Sequence, residues 1–273
     1  VFSVLGSDGF IGAALAKELM RSGEQVRVFN RRNMPLAGER LGTVFYCIGV
    51  TTDYRSRILD TADSHVSVLV DIVRNHDFDR IVYLSSTRIY AEQESGREDA
   101  PIRVTPMDPL EIYGLSKLVG ESIIASLGVD RGVVVRLSNV LGPSGNSRNF
   151  VFDLCRQAVS GTINLFSPLE ARKDYVHIDD VVRLLHRIGR ASRMNLYNVA
   201  NGTGVATQDI IGSIRSLVPC DVVVAPDARA VSFPEIDTTR LRTEFGGMEH
   251  SALEILPTLI ESMKKEKVSN ESA

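Results

Sequence analysis

Short apolar runs of five or six residues alternate along the first half of the chain with longer stretches whose apolar residues recur every three or four positions. The short runs predict strands at 1–5, 25–29, 43–48, 80–85 and 132–137, and the longer ones predict helices near 10–22, 58–76 and 113–127. Strands separated by helices pair in parallel beneath covering helices. RIVYLSS at 80–86 and GVVVRLSN at 132–139 are apolar at successive positions, as strands buried between two helical layers should be. Beyond about residue 143 the pattern weakens. GPSGNSRN reads as a loop, later strands are short, and KKEKVSNESA at the end is polar without periodicity.

The first strand runs directly into Gly6, Gly9 and Gly12, with two residues between each pair, and then into the first helix. A strand that feeds a helix through a bare glycine turn offers free backbone N–H groups and the positive end of a helix dipole. A dinucleotide pyrophosphate is the usual occupant, which makes Gly6, Gly9, Phe10, Ile11 and Gly12 candidate cofactor contacts; the plainer reading is a tight connection. The second strand ends in Asn30, Arg31 and Arg32, where an acidic residue would accept from the ribose 2′-hydroxyl of NAD(H). Two arginines after a neutral Asn favour NADP(H) over NAD(H), with Arg31 the better placed, the plainer alternative being a solvated turn. The expected fold class is α/β, a Rossmann-type doubly wound parallel sheet with a small C-terminal substrate lobe. The dinucleotide-binding domain spans 1–142, with later strands returning to its sheet. Residues 143–265 form most of the lobe and 266–273 a disordered tail.

Composition narrows the class. At 273 residues the chain is near the upper limit for one hydrophobic core, and 44% hydrophobic with 24% charged residues is the balance of a soluble globular protein. A net charge of −3 with scattered Lys and Arg argues against a nucleic-acid surface. Cys47, Cys155 and Cys220 are far apart and lack metal-ligand spacing, which points to a reduced, cytoplasmic setting without disulfides or a metal site. No apolar run approaches the roughly 20 residues that span a bilayer. The chain opens on an apolar strand with neither a signal-peptide pattern nor Met, which reads as a few residues trimmed.

YGLSK at 113–117 places Tyr113 and Lys117 on one face of a predicted helix. An ammonium beside a phenol favours the phenolate and draws the Tyr toward the range of a general acid or base. Alone, such a pair is commonly surface decoration. Here it follows LSSTRIY at 84–90 and precedes RLSNVLGP at 136–143, RKDYVHIDDVV at 172–182, LYNVANG at 196–202 and DTTRLRTEFG at 237–246. With the glycine turn, these segments resemble, in order and over nearly the whole chain, the extended short-chain dehydrogenase/reductase family, in particular its NAD(P)-dependent epimerase/dehydratase branch. The resemblance implies that Ser86 hydrogen-bonds the reacting oxygen, Tyr113 exchanges a proton with it, and Lys117 holds the nicotinamide ribose and lowers the Tyr113 pKa. Thr87, Asn139, Arg172 and Lys173 are the implied substrate contacts. Asp180 and His177 are expected in structural roles, and the other histidines show no partner spacing.

Departures from the family pattern refine the expected activity. Dehydratases of this branch carry an Asp-Glu pair directly after the catalytic hydroxyl residue; here Thr87 and Arg88 stand there, which disfavours a 4,6-dehydratase. The segment FSPLEARKDYVH lacks the family's Gly-Asp-Gly turn and has Lys173 where an Arg meets the diphosphate; Arg172 is a candidate substitute, although the two cations are not equivalent at phosphate. The expected activity is therefore hydride transfer on a nucleotide-diphosphate sugar at C4, as an epimerase or a keto-sugar reductase. The alternatives are reduction of a non-nucleotide ketone and a non-catalytic NADP(H)-sensing protein. A homodimer is implied through the Tyr-Lys helix, where Leu118, Ile123, Ile124 and Leu127 are available for two apolar surfaces.

Overall fold

A computed structural model of the chain describes residues 1–51, 53–143 and 149–271. Strand β1 (Phe2–Leu5) leads through the glycine turn into α1 (Phe10–Arg21), and β2 (Val26–Phe29) returns beside β1 in parallel. The chain then crosses to the other side of β1 through a connection without a helix and enters β3 (Thr43–Tyr46). Next come α2 (Ile58–Ala62), a π-helical turn (Asp63–Ser67) and α3 (Val68–Asn75), which together fill the span predicted as one helix. β4 (Arg80–Ser86), a 3₁₀ turn (Thr87–Tyr90), α4 (Ile112–Ala125) and β5 (Gly132–Leu137) follow.

The second half begins with β6 (Asn139–Leu141), α5 (Phe150–Val159), β7 (Thr162–Leu165), β8 (Arg172–Lys173) and β9 (Tyr175–His177). It continues through α6 (Ile178–Ala191), β10 (Leu196–Val199), β11 (Val205–Ala206), α7 (Thr207–Leu217) and β12 (Asp221–Val224), and closes with α8 (Thr239–Phe245) and α9 (Leu256–Glu271). Strand order in the main sheet is β10-β5-β4-β3-β1-β2, every neighbouring pair parallel. The order reverses beside β1, and the crevice at such a reversal is where open α/β sheets bind ligands.

Period-two alternation explains the layers. Val82, Leu84, Val133 and Val135 face the α1/α6 side with Leu15, Leu19, Leu184 and Ile188. Ile81, Tyr83 and Val134 face the opposite side with Leu69, Ile72 and Ile124. Because both faces are covered, β4 and β5 can be apolar throughout, and the doubly wound Rossmann-type sheet expected from the sequence is present. A second core gathers α5, α7 and α9 around paired β7 and β12, with Leu154, Ile163, Ile210, Ile214 and Leu259 at its centre.

The tail corrects the sequence reading. α9 carries the backbone as helix to Glu271, where 266–273 was expected to be disordered. Ser251 and Glu254 form a capping box ahead of it, and Leu256, Leu259, Ile260 and Met263 anchor its first turns in the second core. Lys and Glu are strong helix formers, so the helix continues past its last apolar contact. Most of the GPSGNSRN loop, residues 144–148, lies outside the described residues, as do 272 and 273. The four apolar residues expected on this helix segment pack within the chain: Ile124 is fully buried, Ile123 and Leu127, the latter just past the end of α4, join the same core, and Leu118 joins a cluster around Tyr90. Val119 is the large apolar side chain of that helix left exposed. Among the described residues no helix is long and apolar enough to cross a membrane.

Candidate active site

The glycine turn is required by close approach. Gly6 has φ of +83°, and a Cβ there would meet the Cys47 carbonyl at 3.0 Å. A Cβ on Gly12 would sit 2.2 Å from the Gly6 carbonyl oxygen, so the bare residue lets α1 start against the end of β1. Gly9 caps α1 with no side chain over its first turn, and no acidic residue stands in that turn. The first N–H groups therefore face outward with the positive end of the helix dipole. Phe10 and Ile11 pack their side chains against the sheet core and present only backbone to this cradle.

At the end of β2 the side chain of Asn30 is committed to its own turn: Oδ1 accepts from the Arg32 N–H at 2.9 Å, and Asn33 accepts from the Asn30 N–H at 2.8 Å. Arg31 and Arg32 are exposed and have no carboxylate partner among the described residues.

Ser86 ends β4 and caps the 3₁₀ turn, its Oγ accepting from the Arg88 N–H at 3.1 Å. α4 starts where Asp108 caps Leu110 and Pro109 leads into its first turn, which places Tyr113 one residue inside the helix. The Tyr113 hydroxyl stands near the Ser86 hydroxyl without closing a hydrogen bond. Its ring is nearly buried and packs on Tyr54 at 5.2 Å and edge-on to His65 at 5.3 Å. Burial raises the Tyr113 pKa above its ordinary value, while the nearby Ser86 hydroxyl and the Arg88 charge work against that rise. A cation that favours the ionised form is Arg88, a neighbour the sequence reading did not assign to Tyr113.

Lys117 lies one turn along and is 4% exposed; its ammonium donates to the Leu84 carbonyl at 2.7 Å and sits 5.0 Å over the Tyr83 ring. α4 comes this close because Gly120 leaves room for Tyr83, whose hydroxyl would lie 2.3 Å from a Cβ there. Burial pulls the Lys117 pKa down to about 7, with Glu121 and Cys47 pushing it back up. Behind the site Glu121 takes both guanidinium arms of buried Arg136, at 3.0 and 2.7 Å, and the Ser85 hydroxyl at 2.6 Å. Arg136 also reaches the Tyr90 hydroxyl at 2.7 Å, tying β4, α4 and β5 together.

On the substrate side the consecutive residues of β8 diverge. Arg172 donates to the Gly204 carbonyl at 2.8 Å, while the half-buried Lys173 ammonium lies 4.7 Å over the Phe150 ring. Burial and then the positive charge of Arg88 lower the Lys173 pKa. Asn139 is exposed and donates to the Asp174 carbonyl at 2.8 Å, and Thr87 is buried in the 3₁₀ turn. Asp180 is fully buried, bonded to Arg183 at 2.6 Å and to the Glu249 and His250 N–H groups; His177 caps α6. Among the described residues no three His, Cys, Asp or Glu gather to hold a metal ion.

A family model described as the NAD dependent epimerase/dehydratase family matches residues 36–200. The chain belongs to that family. The UDP-glucose 4-epimerase of Azospirillum brasilense is 26% identical over 166 residues, 51% of this chain and 46% of that protein, so the chain spans about half the length of this curated relative. Among solved structures, MoeE5 in complex with UDP-glucose and NAD superposes with a TM-score of 0.80 at 22% identity, covering 98% of this chain and 99% of that one; MoeE5 is also known with UDP-glucuronic acid. RMD from Pseudomonas aeruginosa complexed with NADPH gives 0.76 at 17% identity, covering 97% and 99%. At these identities the likeness to the solved structures establishes the fold.

In this member of the family the structure brings Ser86, Tyr113 and Lys117 to one end of β4 and adds three neighbours that sequence reasoning missed. Arg88 was read only as a missing carboxylate, and Tyr54 was not singled out. His65 was set aside for want of partner spacing, yet it is fully buried, its Nδ1 2.8 Å from the Ser116 hydroxyl. Its Nε2 faces the Val50 backbone without closing a hydrogen bond, on the same side of Gly49 as the Lys117 ammonium. Burial, and then the charge of Lys117, lower the His65 pKa to about 3. A signal existed: His65, Leu69 and Ile72 fall at i, i+4 and i+7, the buried face of their helix.

Proposed function

We propose that this chain is a nicotinamide-dependent oxidoreductase acting at C4 of a nucleotide-diphosphate sugar, as an epimerase or a keto-sugar reductase. The observation that carries the reading is the juxtaposition of the Ser86 and Tyr113 hydroxyls at the end of β4, one helical turn from buried Lys117. The cradle formed by Gly6, Gly9 and Gly12, which side chains would fill, fits the pyrophosphate of such a cofactor. When bound, the nicotinamide supplies reversible hydride transfer at the sugar carbon. Tyr113 gives and takes the proton on the reacting oxygen, and Ser86 orients that oxygen. Lys117, with its pKa near 7, can gain and lose a proton at working pH.

Arg31 and Arg32, exposed and without carboxylate partners among the described residues, support NADP(H) over NAD(H). The turn Thr87–Tyr90 contains no carboxylate, which supports redox chemistry over 4,6-elimination. Lys173 and Asn139 are the proposed lobe contacts to substrate. A second reading, reduction of a ketone without a nucleotide, is favoured by the β8 segment, where Arg172 directs one guanidinium nitrogen to the Gly204 carbonyl and Lys173 stands over the Phe150 ring.

The test is mass-spectrometric identification of nucleotides released from freshly purified protein, followed by titration of NAD(H) and NADP(H) and product analysis with UDP-glucose and its 4-keto derivatives. Tightly held NAD(H) with interconversion of C4 epimers would favour the epimerase and refute the reading of Arg31 and Arg32. An empty protein that prefers NADPH would favour the reductase, and binding of neither cofactor would refute the proposal.

A further inference from the structure

Three cations converge on the proposed site without a carboxylate to meet them. Two guanidinium groups stand over the Tyr54 ring, Arg55 at 5.2 Å and Arg88 at 5.1 Å from its centroid. Arg88 also stands 6.0 Å from the Tyr113 ring centroid, and its charge extends to Lys173 on the facing lobe. None of the three forms an ion pair among the described residues, unlike Arg57, Arg136 and Arg183. Arg88 and Lys173 carry like charge, and that of Arg88 makes Lys173 harder to protonate.

Arg88 is also held in a defined orientation. Its Nη2 donates to the Tyr54 hydroxyl at 2.8 Å, the one hydrogen bond its guanidinium makes among the described residues, so most of its five donors are free. Its backbone is fixed too, because the Arg88 N–H is the donor that Ser86 Oγ accepts. An arginine that only decorated a surface would need neither restraint. A guanidinium fork held beside the reacting hydroxyls matches a carboxylate, which it can grip with two parallel hydrogen bonds.

Resting on the function proposed above, we infer that Arg88 is a specificity residue for an acidic sugar: it binds a carboxylate on the ring carbon next to the one that reacts, so that the substrate is a nucleotide-linked hexuronic acid and not a neutral hexose. Tyr54 is the positioning residue that aims the guanidinium. Lys173 adds positive potential from the lobe and is drawn toward its charged form when the anion arrives.

The experiment measures kcat/KM for matched pairs differing only at C6: UDP-glucose with UDP-glucuronate, dTDP-glucose with dTDP-glucuronate, and GDP-mannose with GDP-mannuronate. The wild-type protein should favour the acidic member of whichever pair it processes. Because charge-assisted hydrogen bonds to a carboxylate are strong, Arg88→Gln should reduce the acidic-to-neutral ratio by about 10- to 100-fold. Arg88→Lys should recover part of that ratio. Tyr54→Phe, which keeps the ring and removes the orienting hydroxyl, should lower it by a smaller factor. Cofactor affinity and melting temperature, read on each variant, establish that it is folded.

A wild-type preference for the neutral sugar would overturn the inference while leaving the proposed function standing. So would an Arg88→Gln variant that loses both members of a pair equally, since Arg88 would then serve the diphosphate that both share. If no pair is processed, either as the 4-hydroxy or as the 4-keto sugar, by a folded protein that binds its cofactor, the proposed function itself fails, and the inference with it.

Discussion

Replacing Lys117 with Met should stabilise the fold while abolishing the proposed chemistry. The ammonium is 4% exposed, and burial lowers its pKa from 10.5 to about 7. Since each pKa unit corresponds to about 1.4 kcal/mol, keeping that amine in the folded protein at pH 7 costs roughly 4 kcal/mol relative to the unfolded chain. Methionine fills the same slot with no charge. It also removes the donor to the Leu84 carbonyl, which returns about 1–2 kcal/mol. The expected net gain is about 2–3 kcal/mol near pH 7, measured by urea unfolding of both proteins. The sign with pH follows from linkage. Between the folded pKa and 10.5 the unfolded chain binds more protons, so the wild type gains on the variant by up to about 1.4 kcal/mol per pH unit. The variant's advantage is therefore fully present at or below pH 7 and nearly closed by about pH 9. Between pH 7 and 9 the neighbours stay fixed in charge in the folded protein: burial holds the His65 pKa down at about 3 and pushes the Cys47 thiol up to about 12. A variant less stable than the wild type at pH 7, or a difference flat in pH, would refute the argument.

Tyr113→Phe keeps the packing on Tyr54 and His65 but removes the proton donor; turnover should fall by about 10²- to 10⁴-fold with cofactor affinity unchanged, read by steady-state kinetics and fluorescence titration. Gly12→Ala forces a Cβ to within 2.2 Å of the Gly6 carbonyl oxygen and should cost about 3 kcal/mol together with much of the cofactor affinity; unfolding and titration data check both. Glu121→Ala strands Arg136 in the interior and should destabilise by about 3–5 kcal/mol in urea unfolding. The double variant Glu121→Leu/Arg136→Met should recover most of that loss.

Local patterns carried the sheet, and long-range pairs carried what the sequence withheld. β4 and β5 were legible because both their faces are apolar, a property written in consecutive residues. The glycine turn was legible for the same reason: strand, turn and helix start fall within a dozen positions. The 58–75 helix was legible only as a helix. Periodicity cannot show a π turn, and that turn lies where His65 meets Ser116, 51 residues away. The Tyr113–Lys117 spacing placed both side chains on one face but not where their tips would end. The Lys117 tip is decided by Gly120, which admits Tyr83, and by a carbonyl 33 residues upstream.

Arg88 gives the sharper lesson. Its sequence position reveals only that it is not an acid, whereas its orientation comes from Tyr54, 34 residues earlier, and its electrostatic reach is felt at Lys173 on the far lobe. A residue's chemistry in this site is thus set less by its own motif than by what the crossover after β3 and the β8 segment bring against it. Those two segments lie outside the glycine and Tyr-Lys motifs, which makes them the places where a family sharing these motifs can change substrate without disturbing the sheet. The rigid part supports that division. Ser85, Glu121, Arg136 and Tyr90 lock β4, α4 and β5 beneath Ser86 and Tyr113, so the two hydroxyls keep their geometry while the surrounding loops vary.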